Sequence, residues 1–206
     1  MALLHQATLT PTKRDLLDAW LPRQSWWDGG TDRDPVASFR LDDPAGEVGI
    51  ELFLLGSSGG STLFVPLAYR AVPLDGAEAH LVGVTEHSVL GTRHVYDGCA
   101  DPVVVAALAT TVLSGGTEAL EEVEGPDGRV LREPAVRARG TGSAQAEVAP
   151  DESVTARDEG DLTVVGMAGH EVVVARRVGA EVVAAETLRV TGAGLSDAVV
   201  AGVRPI

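Results

Sequence analysis

The 206-residue chain is 45% hydrophobic and carries 30 acids against 16 bases, a formal net charge of −14. That much apolar side chain can bury a core, which excludes wholesale disorder, while so acidic a chain repels phosphate backbones and anionic bilayers, so neither nucleic acid nor membrane is expected as a partner. Fifteen of the bases are Arg, Lys13 is the sole lysine and Cys99 the sole cysteine, which excludes an internal disulfide and a multi-cysteine metal site.

The first nine residues lack the basic segment and apolar run of a secretory signal, and the uncharged run from Pro102 up to Glu118 is too short and mild to span a bilayer. A soluble cytoplasmic protein is expected. Leu3 to Leu9 reads as a short strand. Thr10 then offers an N-cap, with Pro11 at the first helical position. Leu16, Leu17, Trp20 and Leu21 share one face, predicting a short amphipathic helix that ends before Pro22. Ser25 to Pro35 is a loop carrying Trp26 and Trp27. From Ser38 the pattern becomes sheet-like: Val48 to Leu55 and Thr62 to Tyr69 are apolar runs joined by a flexible loop at 56–60, hence a hairpin, with Pro66 placing the second run at an edge or a bulge. Ala79 to Thr85 and Thr92 to Tyr96 make a second strand pair. Asp101-Pro102 opens a helix to about Leu113, with Val104, Leu108 and Val112 on one face.

Gly115-Gly116 reads as a subdomain hinge, dividing the chain into 1–115 and 116–206. Beyond it, strands are expected at Ala119 to Val123, Val130 to Leu131, Leu162 to Val165, Val172 to Val178, Val182 to Val190 and Ala198 to Val203, with turns at 125–128, 166–169 and 178–180. The small, acidic stretch 140–160 predicts a flexible linker.

The densest polar chemistry lies between Glu86 and Gly98. A strand–turn–strand bearing Glu86, His87, Arg93, His94, Tyr96 and Asp97 can build a pocket in which a histidine acts as a base and Arg93 clamps a carboxylate or phosphate. The same residues can equally form a hydrogen-bonded network that fixes the turn at Gly91 and ties the sheet to the following helix. His87 and His94 match no metal-ligand spacing, and no metal is expected. The run Ser57 to Ser61 lacks the G-x-S-x-G of a serine hydrolase, and Gly140-Thr141-Gly142-Ser143 lacks the lysine of a phosphate loop. Cys99 stands between Asp97 and Asp101, acids that raise a thiol pKa, which argues against a nucleophile. Trp20 fits a core position, whereas one of Trp26 and Trp27 can anchor the loop while the other meets a glycan or a partner.

Several blocks in the first half carry a resemblance: Leu9-Thr10-Pro11-Thr12-Lys13, the run Phe39 to Glu51 (FRLDDPAGEVGIE), Val65-Pro66-Leu67-Ala68-Tyr69-Arg70, Pro73-Leu74, Gly83 to Asp97, and Asp101-Pro102-Val103. Over roughly residues 1–115 the chain resembles the N-terminal cap of actinobacterial maltokinases. The resemblance implies an α+β fold, a curved antiparallel sheet with packed helices in a cystatin-like arrangement, followed here by a smaller β-rich subdomain. The cap is the non-catalytic part of those enzymes. After Lys13 the chain has no lysine to pair with nucleotide phosphates, and no His-x-Asp or Asp-x-Glu follows; Val172 to Arg177 reads as a degenerate relic of a nucleotide-lobe strand. The glucan-branching label sometimes given to similar short proteins belongs to a barrel of about 250 residues, more than this length allows. The expectation is therefore not an enzyme and no cofactor. It is a partner-binding or regulatory module for a trehalose, maltose or glycogen enzyme of maltokinase or trehalose synthase type, with homo-oligomerisation left open. The alternative is a small-molecule or oligosaccharide binder using residues 86–97.

Overall fold

The computed structural model describes residues 2–4, 7–30, 34–56, 61–125 and 128–206. In chain order its strands are β1 (Ala2–Leu4), β2 (Leu9–Thr10), β3 (Asp34–Leu41), β4 (Gly49–Gly56), β5 (Thr62–Arg70), β6 (Leu81–His87), β7 (Gly91–Asp97), β8 (Glu121–Gly125), β9 (Gly128–Arg132), β10 (Val136–Gly140), β11 (Thr155–Glu159), β12 (Leu162–Met167), β13 (His170–Ala175), β14 (Glu186–Gly192) and β15 (Leu195–Pro205). The two α-helices are α1 (Lys13–Trp20) and α2 (Pro102–Ser114). The architecture is thus mostly antiparallel β with a curled sheet and two helices.

The first large sheet has the order β2-β6-β7-β5-β4-β3 and the second β10-β14-β15-β13-β12-β11; both are antiparallel. A small third sheet pairs β1 with β8 in parallel and β8 with β9 antiparallel. Alternation along β4 and β5 sends Phe53, Leu55, Leu63, Val65 and Leu67 to one face of the first sheet, where α1, Leu21 and Trp26 cover them. Leu52, Leu54, Phe64 and Ala68 point the other way, into a core shared with α2 and with Val172, Val174, Leu188 and Val203 of the second sheet. Both faces are buried, which is why these strands read as unbroken apolar runs.

Helix α1 starts at Thr12, two residues later than predicted. Thr10 is taken by β2, paired with Glu86, and Thr12 closes a capping box with Asp15: Asp15 N donates to Thr12 Oγ1 (3.2 Å) and Thr12 N to Asp15 Oδ2 (2.9 Å). Leu16, Leu17 and Trp20 are buried as the periodicity requires. Helix α2 has the predicted N-cap, Asp101 Oδ1 accepting from Val103 N and Val104 N, and ends on Gly115 in the left-handed region (φ 69°).

Pro66 is neither at an edge nor at a bulge, because β5 is interior. Its pairing with β7 stops at Leu67↔Asp97 and is replaced by the segment after β13: Phe64 N donates to Arg176 O and Val178 N to Thr62 O. Pro66 sits in the gap between these two partners, where no ladder bond needs its missing N–H. The strand expected over Val182 to Val190 begins only at Glu186, since Val182 and Ala184 pack over Gly202 instead. β10 and β11 had no counterpart in the sequence reading. Residues 141–148 run along the end of α2, with Gly142 N donating to Val112 O, Ala144 N to Leu113 O and Val148 N to Thr110 Oγ1. The predicted 57–60 loop, His5 and Gln6 of the first strand, and the Pro126-Asp127 turn lie outside the described residues.

Candidate functional site

The polar block of β6 and β7 divides by the pleat. Thr85, His87, Arg93, Val95 and Asp97 take the α1 face, while Val84, His94 and Tyr96 take the other, so His87 and His94 stand on opposite sides of the sheet. Among the described residues no three His, Cys, Asp or Glu converge as metal ligands. His87 Nδ1 accepts from Val89 N (3.2 Å) and Leu90 N (3.1 Å) and holds the turn, which puts the proton of the neutral ring on Nε2. Exposed Glu86 accepts from Thr92 Oγ1 at 2.7 Å, and Arg93 donates to Thr92 O at 3.0 Å. Buried Tyr96 accepts from Leu74 N at 3.0 Å; His94 is half-buried. Glu86 and Arg93 thus meet at Thr92, through its hydroxyl and its carbonyl, whereas Asp97 bonds to Cys99 N and Arg176.

Asp97 is the hinge pin between the sheets. Its Oδ1 accepts from Cys99 N (3.1 Å), and its Oδ2 receives Arg176 Nη2 at 2.5 Å from 79 positions away. Arg176 is 1% exposed, donates from Nε to Thr163 Oγ1 (2.7 Å) and lies 4.8 Å from the Trp26 ring centroid. Burial works against the Arg176 charge, but the charge and hydrogen bond of Asp97, with Cys99 and Asp158 adding to them, together outweigh it and leave the guanidinium pKa raised. Trp26 is itself buried, edge-on to Trp20 with centroids 5.7 Å apart, and half-buried Trp27 packs on the same cluster. Arg177 extends the junction to Asp28 (3.0 Å) and Asp161 (3.2 Å). Burial is the main reason the Cys99 thiol is pushed up, with Asp97 adding to it and Arg176 opposing. Asp97, Cys99 and Arg176 are buried at this junction, which holds the two sheets together.

Open chemistry lies elsewhere on the α1 face, beyond the start of α1, in a cavity of about 490 Å³. Its walls bring His87 and Arg93 together with Lys13, Arg40, Glu51 and Tyr69, none of which the sequence singled out as site residues. Glu51 sits mid-strand in β4, 5% exposed, where Lys13 Nζ reaches its Oε2 at 2.6 Å, Arg40 Nη2 at 3.3 Å and Ser38 Oγ its Oε1 at 3.2 Å. Burial pushes the Glu51 carboxyl up; Arg40 and Lys13 together overcome it and hold the pKa below the usual range. Lys13 Nζ also lies 5.5 Å from the Phe53 ring and 5.6 Å from the Tyr69 ring. The Tyr69 hydroxyl is buried and has no hydrogen-bond partner among the described residues. Burial, then the Glu51 charge and the approach of that carboxylate outside hydrogen-bond geometry, raise its pKa, so it stays a protonated donor. Leaving such a group unpaired costs roughly 1–3 kcal/mol. The readable signal was an acid, Glu51, inside an apolar run.

A larger concavity of about 940 Å³ follows α2, lined by Val103, Ala107, Leu120 and Val148 among others, and contains none of the predicted site residues. Among the described residues no helix is long and apolar enough to cross a membrane. A comparison with curated proteins finds no match. Residues 20–101 match the model of the maltokinase N-terminal cap domain, from the end of α1 to the N-cap of α2, and over that stretch the chain is similar to such caps.

Proposed function

We propose that the chain is a non-catalytic cap module that binds and regulates a carbohydrate enzyme of maltokinase or trehalose synthase type in the cytoplasm. The observation that carries this reading is the cap match, together with a polar block whose buried members tie sheets together. The cap is the non-catalytic part of a maltokinase, and the net charge of −14 would favour a basic surface on the partner. In this reading residues 1–115 form a cystatin-like cap unit and 116–206 a β-rich subdomain derived from a nucleotide lobe. Immobilised full-length chain is expected to retain a maltokinase or a trehalose synthase from an actinobacterial lysate. Retention of neither overturns the proposal. Light scattering on the same preparation reads any self-association.

The second reading is a small-molecule or oligosaccharide binder, favoured by the cavity that His87 and Arg93 share with Lys13 and Glu51. Calorimetry with maltose, trehalose and maltooligosaccharides tests it for neutral sugars.

A further inference from the structure

We propose that the cavity at the open end of the α1 face binds a small phosphate ester, its oxyanion held by Lys13, Arg40, Arg93 and Tyr69. The inference rests on the small-molecule reading and names its ligand class.

Three cations converge there from three separate elements, α1, β3 and β7, in a chain whose net charge is −14 and whose single lysine is one of them. Glu51 is a single carboxylate shared by two of these cations, one negative charge against their two. Arg93 has no carboxylate partner among the described residues and donates only to the Thr92 carbonyl. Of the acids at the rim, Asp43 is occupied by its own loop, accepting from Ala45 N, Glu47 N and Val48 N. Asp42 and Glu47 stand beside it on the same wall.

The buried and half-buried polar groups of the wall other than Glu51 are therefore mostly donors: the ammonium, two guanidiniums and the Tyr69 hydroxyl, which makes no well-formed hydrogen bond. A tetrahedral oxyanion supplies what they lack, with several acceptor oxygens and negative charge together. Carboxylates at the rim accept from hydroxyls, which suits an ester whose body is a polyol. The cavity, about 490 Å³, is in the usual range for small-ligand sites. Buried ion clusters seldom stabilise a fold better than apolar replacements of the same size, so a cluster inserted into an apolar sheet face calls for a reason other than stability.

Calorimetry on the full chain at low ionic strength with inorganic phosphate, ribose 5-phosphate and ribose decides the matter. Phosphate and ribose 5-phosphate are expected to bind and ribose not to. Arg93→Gln should weaken ribose 5-phosphate at least tenfold with Tm unchanged. Tyr69→Phe should weaken it severalfold with Tm unchanged or raised, since the approach of the hydroxyl to Glu51 falls short of a well-formed hydrogen bond. Arg139→Gln, at an exposed position of β10 in the other sheet, should bind as the parent does. Binding of ribose as tight as that of ribose 5-phosphate overturns the proposal, as does no binding of either phosphate compound, or equal losses in Arg93→Gln and Arg139→Gln. Neutral oligosaccharides binding where phosphates fail would sink the oxyanion class and leave the small-molecule reading standing.

Discussion

Replacing Asp97 by Asn tests the junction between the sheets. The substitution keeps the side-chain volume and the oxygen that accepts from Cys99 N, and removes the charge facing Arg176. Arg176 is 1% exposed and its Nη1 already lacks a partner among the described residues, so the guanidinium cannot turn to solvent for compensation. Breaking a buried pair by neutralising one member costs about 3–5 kcal/mol. For a chain of this size 1 kcal/mol is about 2–4 °C, so the Tm should fall by roughly 6–20 °C. The assay is urea unfolding followed by tryptophan fluorescence, since Trp26 rests 4.8 Å from the same guanidinium. Arg176→Met alone should also destabilise, losing the Thr163 bond and the ring contact as well, and the double variant should recover about 2 kcal/mol relative to additivity. A loss under about 1 kcal/mol for Asp97→Asn, or strict additivity in the cycle, would refute a paired, desolvated junction.

Three further outcomes are expected. Glu51 has a folded pKa below its unfolded value of about 4.3, so its share of stability is complete above that value and is lost as pH falls through the lower folded pKa; the Lys13→Met, Glu51→Leu double variant should show a shallower decline of the urea midpoint between about pH 5 and 3 than the parent, and equal slopes would contradict the assignment. Asp101→Ala removes both the α2 cap and the paired contacts from Arg70 Nε (2.5 Å) and Nη2 (2.9 Å); a loss of about 3 kcal/mol is expected by chemical denaturation, and a change under about 1 kcal/mol would refute the double role. Gly140→Ala would set a Cβ 2.0 Å from the Thr111 carbonyl oxygen, a backbone atom at the end of α2, so roughly 2–3 kcal/mol or more is lost, whereas an unchanged Tm would show that the segment need not lie there.

Much of the fold was legible because its signals are local. The i, i+4 spacing of Leu16, Leu17, Trp20 and Leu21 makes an apolar stripe whichever surface covers it, and Asp101-Pro102 caps a helix with atoms two and three residues away. The Thr10 cap failed for two reasons: the pairing of Thr10 with Glu86 across the sheet excluded it, and Thr12 has Asp15 three residues on to close a capping box where Thr10 has Lys13. β11 was lost inside a polar stretch because its pairing with β12 leaves most of its side chains exposed, so no apolar alternation marks it. The site was less legible still. His87 and Arg93 drew notice by composition, whereas Lys13, Arg40 and Tyr69 look like ordinary surface or strand residues until three elements bring them to one cavity.

By itself, then, the sequence determined the two helices, the apolar hairpin of β4 and β5, and the likeness of the first half to a maltokinase cap, since each depends on neighbours in the chain or on blocks read in order. Only the tertiary structure decided that Asp97 belongs to Arg176, that Pro66 marks a change of partner on an interior strand, and that Glu51 is a buried charge held by Lys13 and Arg40. A buried charge must find its partner wherever folding brings one within about 3 Å, and that distance in space has no fixed counterpart in distance along the chain.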